Sequence, residues 1–146
     1  MNSFLENLMR EADLIHELPS VEVAVDHLDW AIQLLVDHKA LIPAYSLAAI
    51  AEEQIGKRVQ GSALEQMKEE YGKEDFNALR NFFKHGTMNG KVADIVMVRD
   101  MKQEVALMIL RACENLRLFD GSACSQTPRF AEWMRREYPE LLAVVK

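Results

Sequence analysis

The sequence predicts an all-α protein, an up-and-down bundle of four to five main helices. Apolar residues recur at intervals of three and four through most of the chain. No segment alternates between apolar and polar residues over more than about five positions, the pattern expected of a half-buried strand. The 146 residues are 49% hydrophobic and contain only six glycines and four prolines. This length and composition fit one globular domain over residues 1–146.

The first three predicted helices lie in the N-terminal half. Residues 3–18 form an amphipathic pattern. Ser20 is expected to cap a second helix that runs to about Lys39. A third helix is expected to begin at Pro43, which suits a first helical turn, and to end near Val59. The expected inward-facing residues are Val21, Val25, Leu28, Ile32 and Leu35 in the second helix and Ala44, Leu47, Ala48, Ile50, Ala51 and Ile55 in the third.

The C-terminal half predicts four further helical segments. They cover about residues 62–71, 74–85, 91–119 and 128–137. Gly72 is expected to stop the first of them, and Asn89 is expected to cap the third. The 91–119 helix would be about 43 Å long. Its apolar stripe is wider than one partner helix needs, so it is either buried between several helices or partly in contact with a second subunit.

Aromatic residues and cysteines are read as structural. Trp30, Tyr45, Phe82 and Phe83 recur at helical spacing and are expected in the core. The two cysteines are Cys113, in a predicted helix, and Cys124, in a loop. Their spacing fits neither a zinc site nor a redox motif, and reduced thiols are expected. No apolar run is long enough for a transmembrane helix, and charges near the N-terminus argue against a signal peptide. We therefore expect a cytoplasmic protein with no membrane partner.

Charge is unevenly distributed along the chain. The net charge is −6, and residues 1–53 hold ten acidic residues against Arg10 and Lys39. Residues 77–99 hold four basic residues against Asp94 alone. A protein that binds RNA along its whole surface is expected to be basic overall. The distribution instead fits a local positive site on an acidic body, or a solvated helix end.

The most informative segment is residues 80–85, Arg-Asn-Phe-Phe-Lys-His, which precede Gly86. Arg80 supplies a fixed cation for a phosphate, Asn81 an amide that can orient a group, and His85 a proton donor or acceptor near neutral pH. At about 100° per residue, Arg80 lies about 140° from His85 around a helix. The three side chains can therefore converge only if the helix ends or bends there, and Gly86 suits such an end.

This segment resembles the R-x4-6-H motif of the HEPN superfamily. The resemblance extends over roughly residues 25–118. Asp29–Val59 resembles the first helical hairpin of such domains, and Asn77–Gly86 (NALRNFFKHG) resembles the motif helix of solitary bacterial members. The turn after the histidine, Gly-Thr-Met-Asn-Gly at 86–90, departs from the Asp/Pro-containing turn expected of such relatives.

The resemblance implies a homodimeric, metal-independent endoribonuclease that needs no cofactor and that resembles toxins held inactive by an antitoxin protein. It implies catalytic roles for Arg80, Asn81 and His85. Glu52, Glu53 and Lys84 are expected to support the site, since a buried carboxylate needs a cation or hydrogen-bond donors. One of the two glutamates is expected to pair with Arg80.

A second class of function stays open. A non-catalytic helical dimer that binds a nucleotide or a partner protein would also carry an Arg/His pair, with a structural role. The acidic composition and the unusual turn after the histidine favour this alternative, whereas the intact Arg80, Asn81 and His85 favour the enzyme. A metal site is not expected: His27 and His38 lie about 16 Å apart along one helix, and no Glu-x-x-His motif is present.

Overall fold

The computed structural model describes residues 3–11, 17–72 and 76–143, and within them the chain is an all-α bundle, as predicted. Eight helices and one short antiparallel hairpin are present in this described part. The helices, in chain order, are α1 (Ser3–Glu11), α2 (Ser20–Val36), α3 (Leu41–Gly56), α4 (Ala63–Tyr71), α5 (Ala78–His85), α6 (Met101–Asp120), α7 (Thr127–Glu137) and α8 (Pro139–Ala143). The hairpin pairs β1 (Thr87–Met88) with β2 (Lys91–Val92).

The core is built around α3, which packs between α2 and α6. Small side chains line these contacts and let the helix axes approach closely. They are fully or almost fully buried, and they are Ala24 and Ala31 of α2, Ala44, Ala48, Ala49 and Ala51 of α3, and Ala106 and Ala112 of α6. On the other side of α2, α7 contributes Phe130, Trp133 and Met134 to the same core. The bundle therefore fixes α3 and α6 as the support for α5 and α4.

Several predicted boundaries are confirmed. Ser62 caps α4, its side chain accepting a hydrogen bond from the Glu65 backbone N–H at 3.3 Å, and Gly72 ends this helix at φ 82°. Pro43 lies in the first turn of α3. The C-terminal helix α7 spans the predicted residues, and Gly86 ends α5 in the left-handed conformation with φ 63° and ψ 32°. These glycine and proline signals were therefore read correctly, although α3 ends at Gly56 rather than Val59 and α5 begins at Ala78 rather than at residue 74.

The predicted helix over residues 91–119 is wrong in its first third. The helix begins at Met101, capped by the Asp100 carboxylate, and residues 91–100 form β2 and irregular structure. Asn89 does not cap a helix: with Gly90 it forms the hairpin turn, at φ 53° and 78°. Positive φ at both central residues is the signature of the tight turn that Asn-Gly favours. The apolar residues of 91–100 thus lie outside the helix that their spacing suggested.

The N-terminal half needs smaller corrections. Pro19, in an extended conformation, is the N-cap of α2, and Ser20 is already helical without capping through its side chain. The helix ends at Val36 rather than Lys39, whose φ of 52° is left-handed. The helix predicted over residues 3–18 is present to Glu11, whereas residues 12–16 lie outside the described part and residues 17–19 are not helical.

Two expectations about the inward faces are also wrong. Val21 and Val25 are only half-buried, and the fully buried α2 positions include Ala24 and Ala31 instead. Trp30 is 49% exposed because it lies on the outer face of α2. Tyr45 is in the core as predicted, at 1% exposure. Size alone therefore did not decide which side of α2 faces α3.

Candidate functional site

The motif helix α5 is anchored on α3 by an aromatic contact. The rings of Tyr45 and Phe83 meet edge to face, with centroids 4.7 Å apart and planes at 62°. Tyr45 is buried, whereas Phe83 is half-buried against the core. At the other end, the Gly86 N–H donates to the Phe82 carbonyl at 2.8 Å and closes the last turn. This short helix thus presents one face to the core and its C-terminal end to solvent.

Arg80 points inward and pairs with Glu52 of α3. Its Nη1 lies 3.3 Å from Glu52 Oε2, and the side chains are 13% and 3% exposed. The pairing expected from the sequence between Arg80 and one of the two glutamates is therefore present, and Glu52 is the buried one. Arg80 Nε is buried and has no hydrogen-bond partner among the described residues. Arg80 is thus held in place by a single hydrogen-bonded contact to the core.

Arg111 of α6 is the residue that sequence reasoning missed. Its Nη2 lies 3.0 Å from Glu52 Oε1 and 3.2 Å from Asn77 Oδ1, and its Nη1 donates to the Phe76 carbonyl at 3.3 Å. Its side chain is only 8% exposed. Glu52 therefore lies between two arginines, and Arg111 connects α6 to the segment that leads into α5. A signal existed: Arg111 interrupts the apolar stripe of α6 one position before Ala112.

Asn115 completes this buried polar cluster one helical turn further along α6. Its Nδ2 donates to the Glu52 carbonyl at 3.0 Å, and its Oδ1 accepts from the Ala63 N–H at 2.8 Å. The side chain is fully buried. Gly56 makes room for it, since a Cβ there would lie 3.0 Å from Nδ2. One amide thus joins α3, α6 and the start of α4.

Glu53, the second expected supporting carboxylate, lies nearer the surface. Lys84 Nζ is 2.6 Å from its Oε2, and Lys57 Nζ is 3.9 Å from its Oε1. The hydrogen bond from Lys84 is the main reason that the pKa of Glu53 lies below its ordinary value. Lys84 therefore helps to hold α5 against α3 from the solvent side.

His85 and Asn81 occupy a different side of α5 from the Arg80 guanidinium. His85, the last helical residue, is exposed, and Asn81 is half-buried. Among the described residues, no hydrogen bond or ion pair joins the His85 side chain to Arg80 or Asn81. The five-residue separation turns the two groups about 140° apart on a straight helix. Within one chain the Arg80 guanidinium is thus engaged with Glu52 and forms no hydrogen bond with the His85 imidazole among the described residues.

No group of three His, Cys, Asp or Glu side chains within the described residues is placed to hold a metal ion. Of the helices in the same part of the chain, none is long and apolar enough to cross a membrane. Cys113 and Cys124 are free thiols, and burial raises the pKa of Cys113 to about 12 and that of Cys124 to about 11. These thiols are therefore poor nucleophiles at neutral pH.

Comparison with known proteins gives no match: no family model, no curated protein and no solved structure is similar to this chain.

Proposed function

We propose that this protein is a metal-independent endoribonuclease of the HEPN type, acting as a homodimer. The proposal rests on the resemblance of residues 80–85 to the R-x4-6-H motif and on the placement of these residues in the fold. In this mechanism the ribose 2′-hydroxyl attacks the adjacent phosphate, and the 5′-oxygen of the next nucleotide leaves. The products carry a 2′,3′-cyclic phosphate and a 5′-hydroxyl.

The observation that carries the proposal is the surplus of positive charge around Glu52. One buried carboxylate is shared by Arg80 and Arg111, so it neutralises only one of the two guanidinium groups. Arg111 makes the shorter contact and further hydrogen bonds, whereas Arg80 has one contact at 3.3 Å and is the more exposed of the two. Arg80 is thus a preorganised cation beneath the surface of α5, which favours an anion there.

His85 is assigned the proton transfer, because it is exposed at the end of the same helix. An imidazole can accept the 2′-hydroxyl proton or protonate the leaving oxygen. Asn81, which is half-buried, is assigned to orient His85 or the phosphate. Since each chain supplies one such histidine and turns it away from Arg80, two chains together would provide an acid and a base.

A second candidate function has an observation of its own. The guanidinium groups of Arg80 and Arg111 are mostly buried and Lys84 is paired with Glu53, so the cations next to Glu52 and Glu53 are engaged in holding α5. This arrangement favours a non-catalytic helical dimer that binds a nucleotide or a partner protein. An antitoxin-like protein is one partner of that kind, and it would equally fit an active ribonuclease.

The deciding experiment is cleavage of single-stranded RNA in the presence of EDTA. We expect cleavage with 2′,3′-cyclic phosphate ends by the wild-type protein, and light scattering at micromolar concentration should give about twice the 16.7 kDa chain mass. If the protein is a dimer but cleaves none of the RNAs tested, the ribonuclease proposal is wrong and the non-catalytic binding function is favoured. A monomer at high concentration would remove the two-histidine mechanism.

A further inference from the structure

A groove of about 410 Å³ lies beside α5, on the side that faces α6. Ala78 and Leu79 of α5 form one wall, and residues 96–99 with the N-terminal half of α6 form the other. Four of the eight methionines of the chain line it: Met67, Met88, Met97 and Met108. An apolar cleft of this size with a few polar groups is typical of sites for small ligands.

The polar groups at this groove include one cation and one carboxylate that the fold does not use. Arg99 is exposed, and Glu104 is half-buried in the first turn of α6. Among the described residues, neither forms an ion pair. Arg111 also lines the groove, but it is engaged with Glu52. A ligand that complements this groove therefore carries an anionic group for Arg99 and N–H donors for Glu104.

The groove is close to the candidate catalytic residues. Leu79 in its wall directly precedes Arg80, and Met88 follows His85 by three residues. Three residues span at most about 11 Å between Cα atoms. This distance is within the length of one or two nucleotides of an RNA strand, so a nucleotide adjacent to the cleaved bond can reach the groove.

We propose that this groove binds one nucleotide of the RNA substrate and prefers guanine, with the base among the methionines, its N1–H and 2-amino groups donating to Glu104, and a phosphate against Arg99. This inference rests on the proposed ribonuclease function and adds its base preference. An ionised carboxylate only accepts hydrogen bonds, and guanine presents two adjacent donors to its two oxygens. Uracil presents a single N–H flanked by carbonyl oxygens, which a carboxylate repels.

The remaining groove residues suit this ligand. Thioether sulfur makes favourable contacts with aromatic rings, and Met is adaptable in shape, so a cleft with four methionines accommodates a planar base. Arginine binds phosphate through paired N–H donors. Burial mainly, and the negative charge of Glu104 next, raise the pKa of Tyr45 to about 12. Glu104 thus lies near the buried Tyr45, which also lines the groove.

Methionine methyl NMR of the full-length protein tests the location. Guanosine 5′-monophosphate should shift the methyl signals of the four groove methionines and leave those of Met9 and Met134, which lie outside the groove, in place. Uridine 5′-monophosphate should bind at least tenfold more weakly. Equal binding of the two nucleotides, shifts confined to methionines outside the groove, or no shift at millimolar nucleotide would each overturn the inference.

A matched pair of variants on α6 tests the base preference. Glu104→Gln should weaken binding of the guanine nucleotide at least tenfold and should not weaken binding of the uracil nucleotide. Glu114→Gln is the control, since Glu114 is on the same helix but pairs with Arg117 away from the groove. Arg99→Ala should weaken both nucleotides alike. Tight guanine binding by Glu104→Gln would overturn the assignment of Glu104.

These results separate the inference from the proposed function. Cleavage that depends on His85 but shows no guanine preference and no groove binding would overturn the inference alone. Groove binding of guanine nucleotide without any RNA cleavage would support the inference and overturn the ribonuclease. If Met97→Glu converts a dimer into a monomer and nucleotides leave the methionine signals unchanged, the groove is an interface with a second copy, and the inference is wrong.

Discussion

Arg111 and Glu52 form the ion pair at the centre of this molecule. Nη2 of Arg111 lies 3.0 Å from Oε1 of Glu52, and the side chains are 8% and 3% exposed. The pair joins α6 to α3, and Arg80 reaches the other carboxylate oxygen from α5. Buried charges need partners, because the interior does not solvate them. The placement of the motif helix therefore depends on a residue 31 positions beyond Arg80 in the sequence.

Truncation of Arg111 should destabilise the fold more than truncation of Arg80. Arg111→Ala should lower the free energy of unfolding by about 3–5 kcal/mol, the usual cost of breaking a buried ion pair from one side. Arg80→Ala should cost less, because Glu52 then keeps its shorter contact to Arg111, whereas Arg111→Ala also removes the hydrogen bonds to Asn77 and to the Phe76 carbonyl. Urea unfolding followed by circular dichroism measures both. Arg117→Ala, in an exposed pair on the same helix, is the control and should cost at most about 1 kcal/mol. A larger loss in Arg80→Ala than in Arg111→Ala would contradict this ranking.

Removal of the Asn115 amide should leave one buried backbone donor without a partner. In Asn115→Ala, the Ala63 N–H at the start of α4 loses its hydrogen bond, at about 1–3 kcal/mol for a buried group, whereas the Glu52 carbonyl inside α3 loses only a second donor. The same urea titration measures the loss. Gln103→Ala, an exposed position on the same helix, should change stability by no more than about 0.5 kcal/mol. Wild-type stability of Asn115→Ala would show that water replaces the amide.

His85→Ala should abolish most RNA cleavage without loss of stability. Acid–base catalysis contributes about 10²–10⁴-fold to a rate, and the exposed imidazole supports no core contact. The rate in EDTA and the melting temperature are measured on the same preparation. His38→Ala, which removes an exposed histidine beyond the end of α2, is the control and should retain the wild-type rate. Full activity of His85→Ala would exclude this residue as the proton-transfer group.

The pair of Glu53 with Lys84 should give a stability difference that depends on pH. The folded-state pKa of Glu53 is lowered, mainly by the Lys84 hydrogen bond. Its stabilising effect is therefore complete above the unfolded-state pKa and is lost as pH falls through the folded-state pKa. Glu53→Gln should cost about 0.2–1 kcal/mol at pH 7, as for other partly exposed pairs, and less at pH 3. The unfolding free energies of both proteins are compared at the two pH values. A cost that grows towards pH 3 would contradict the pairing, and added salt should reduce the cost at pH 7.

The hairpin after α5 could have been predicted from the sequence, but the helical periodicity of the following residues was given more weight than the turn signal. Asn89-Gly90 is a strong local signal for a two-residue hairpin turn, and both residues have positive φ. The apolar residues that follow continue the helical spacing of α6, so the predicted helix was extended back to residue 91. Val92 is 86% exposed and Ile95 is 73% exposed, so helical spacing did not imply burial there. The Asn-Gly turn instead pairs residues 91–92 with residues 87–88 in an extended conformation, and the helix begins only after the Asp100 cap.

The sequence by itself determined the helical class and several helix ends, and it pointed to Arg80, Asn81 and His85 as candidate site residues. These follow from local physics, since the helical period, capping side chains and a left-handed glycine act within a few residues of one another. Only the tertiary structure decided which partners these residues have: Glu52 is buried between Arg80 and Arg111, Glu53 pairs with Lys84, and Trp30 faces solvent. Such choices depend on the relative rotation of α3, α5 and α6, which the packing of small side chains sets. Once a charged side chain is buried, it must have a partner of opposite charge, because an unpaired charge in the core costs several kcal/mol of folding free energy.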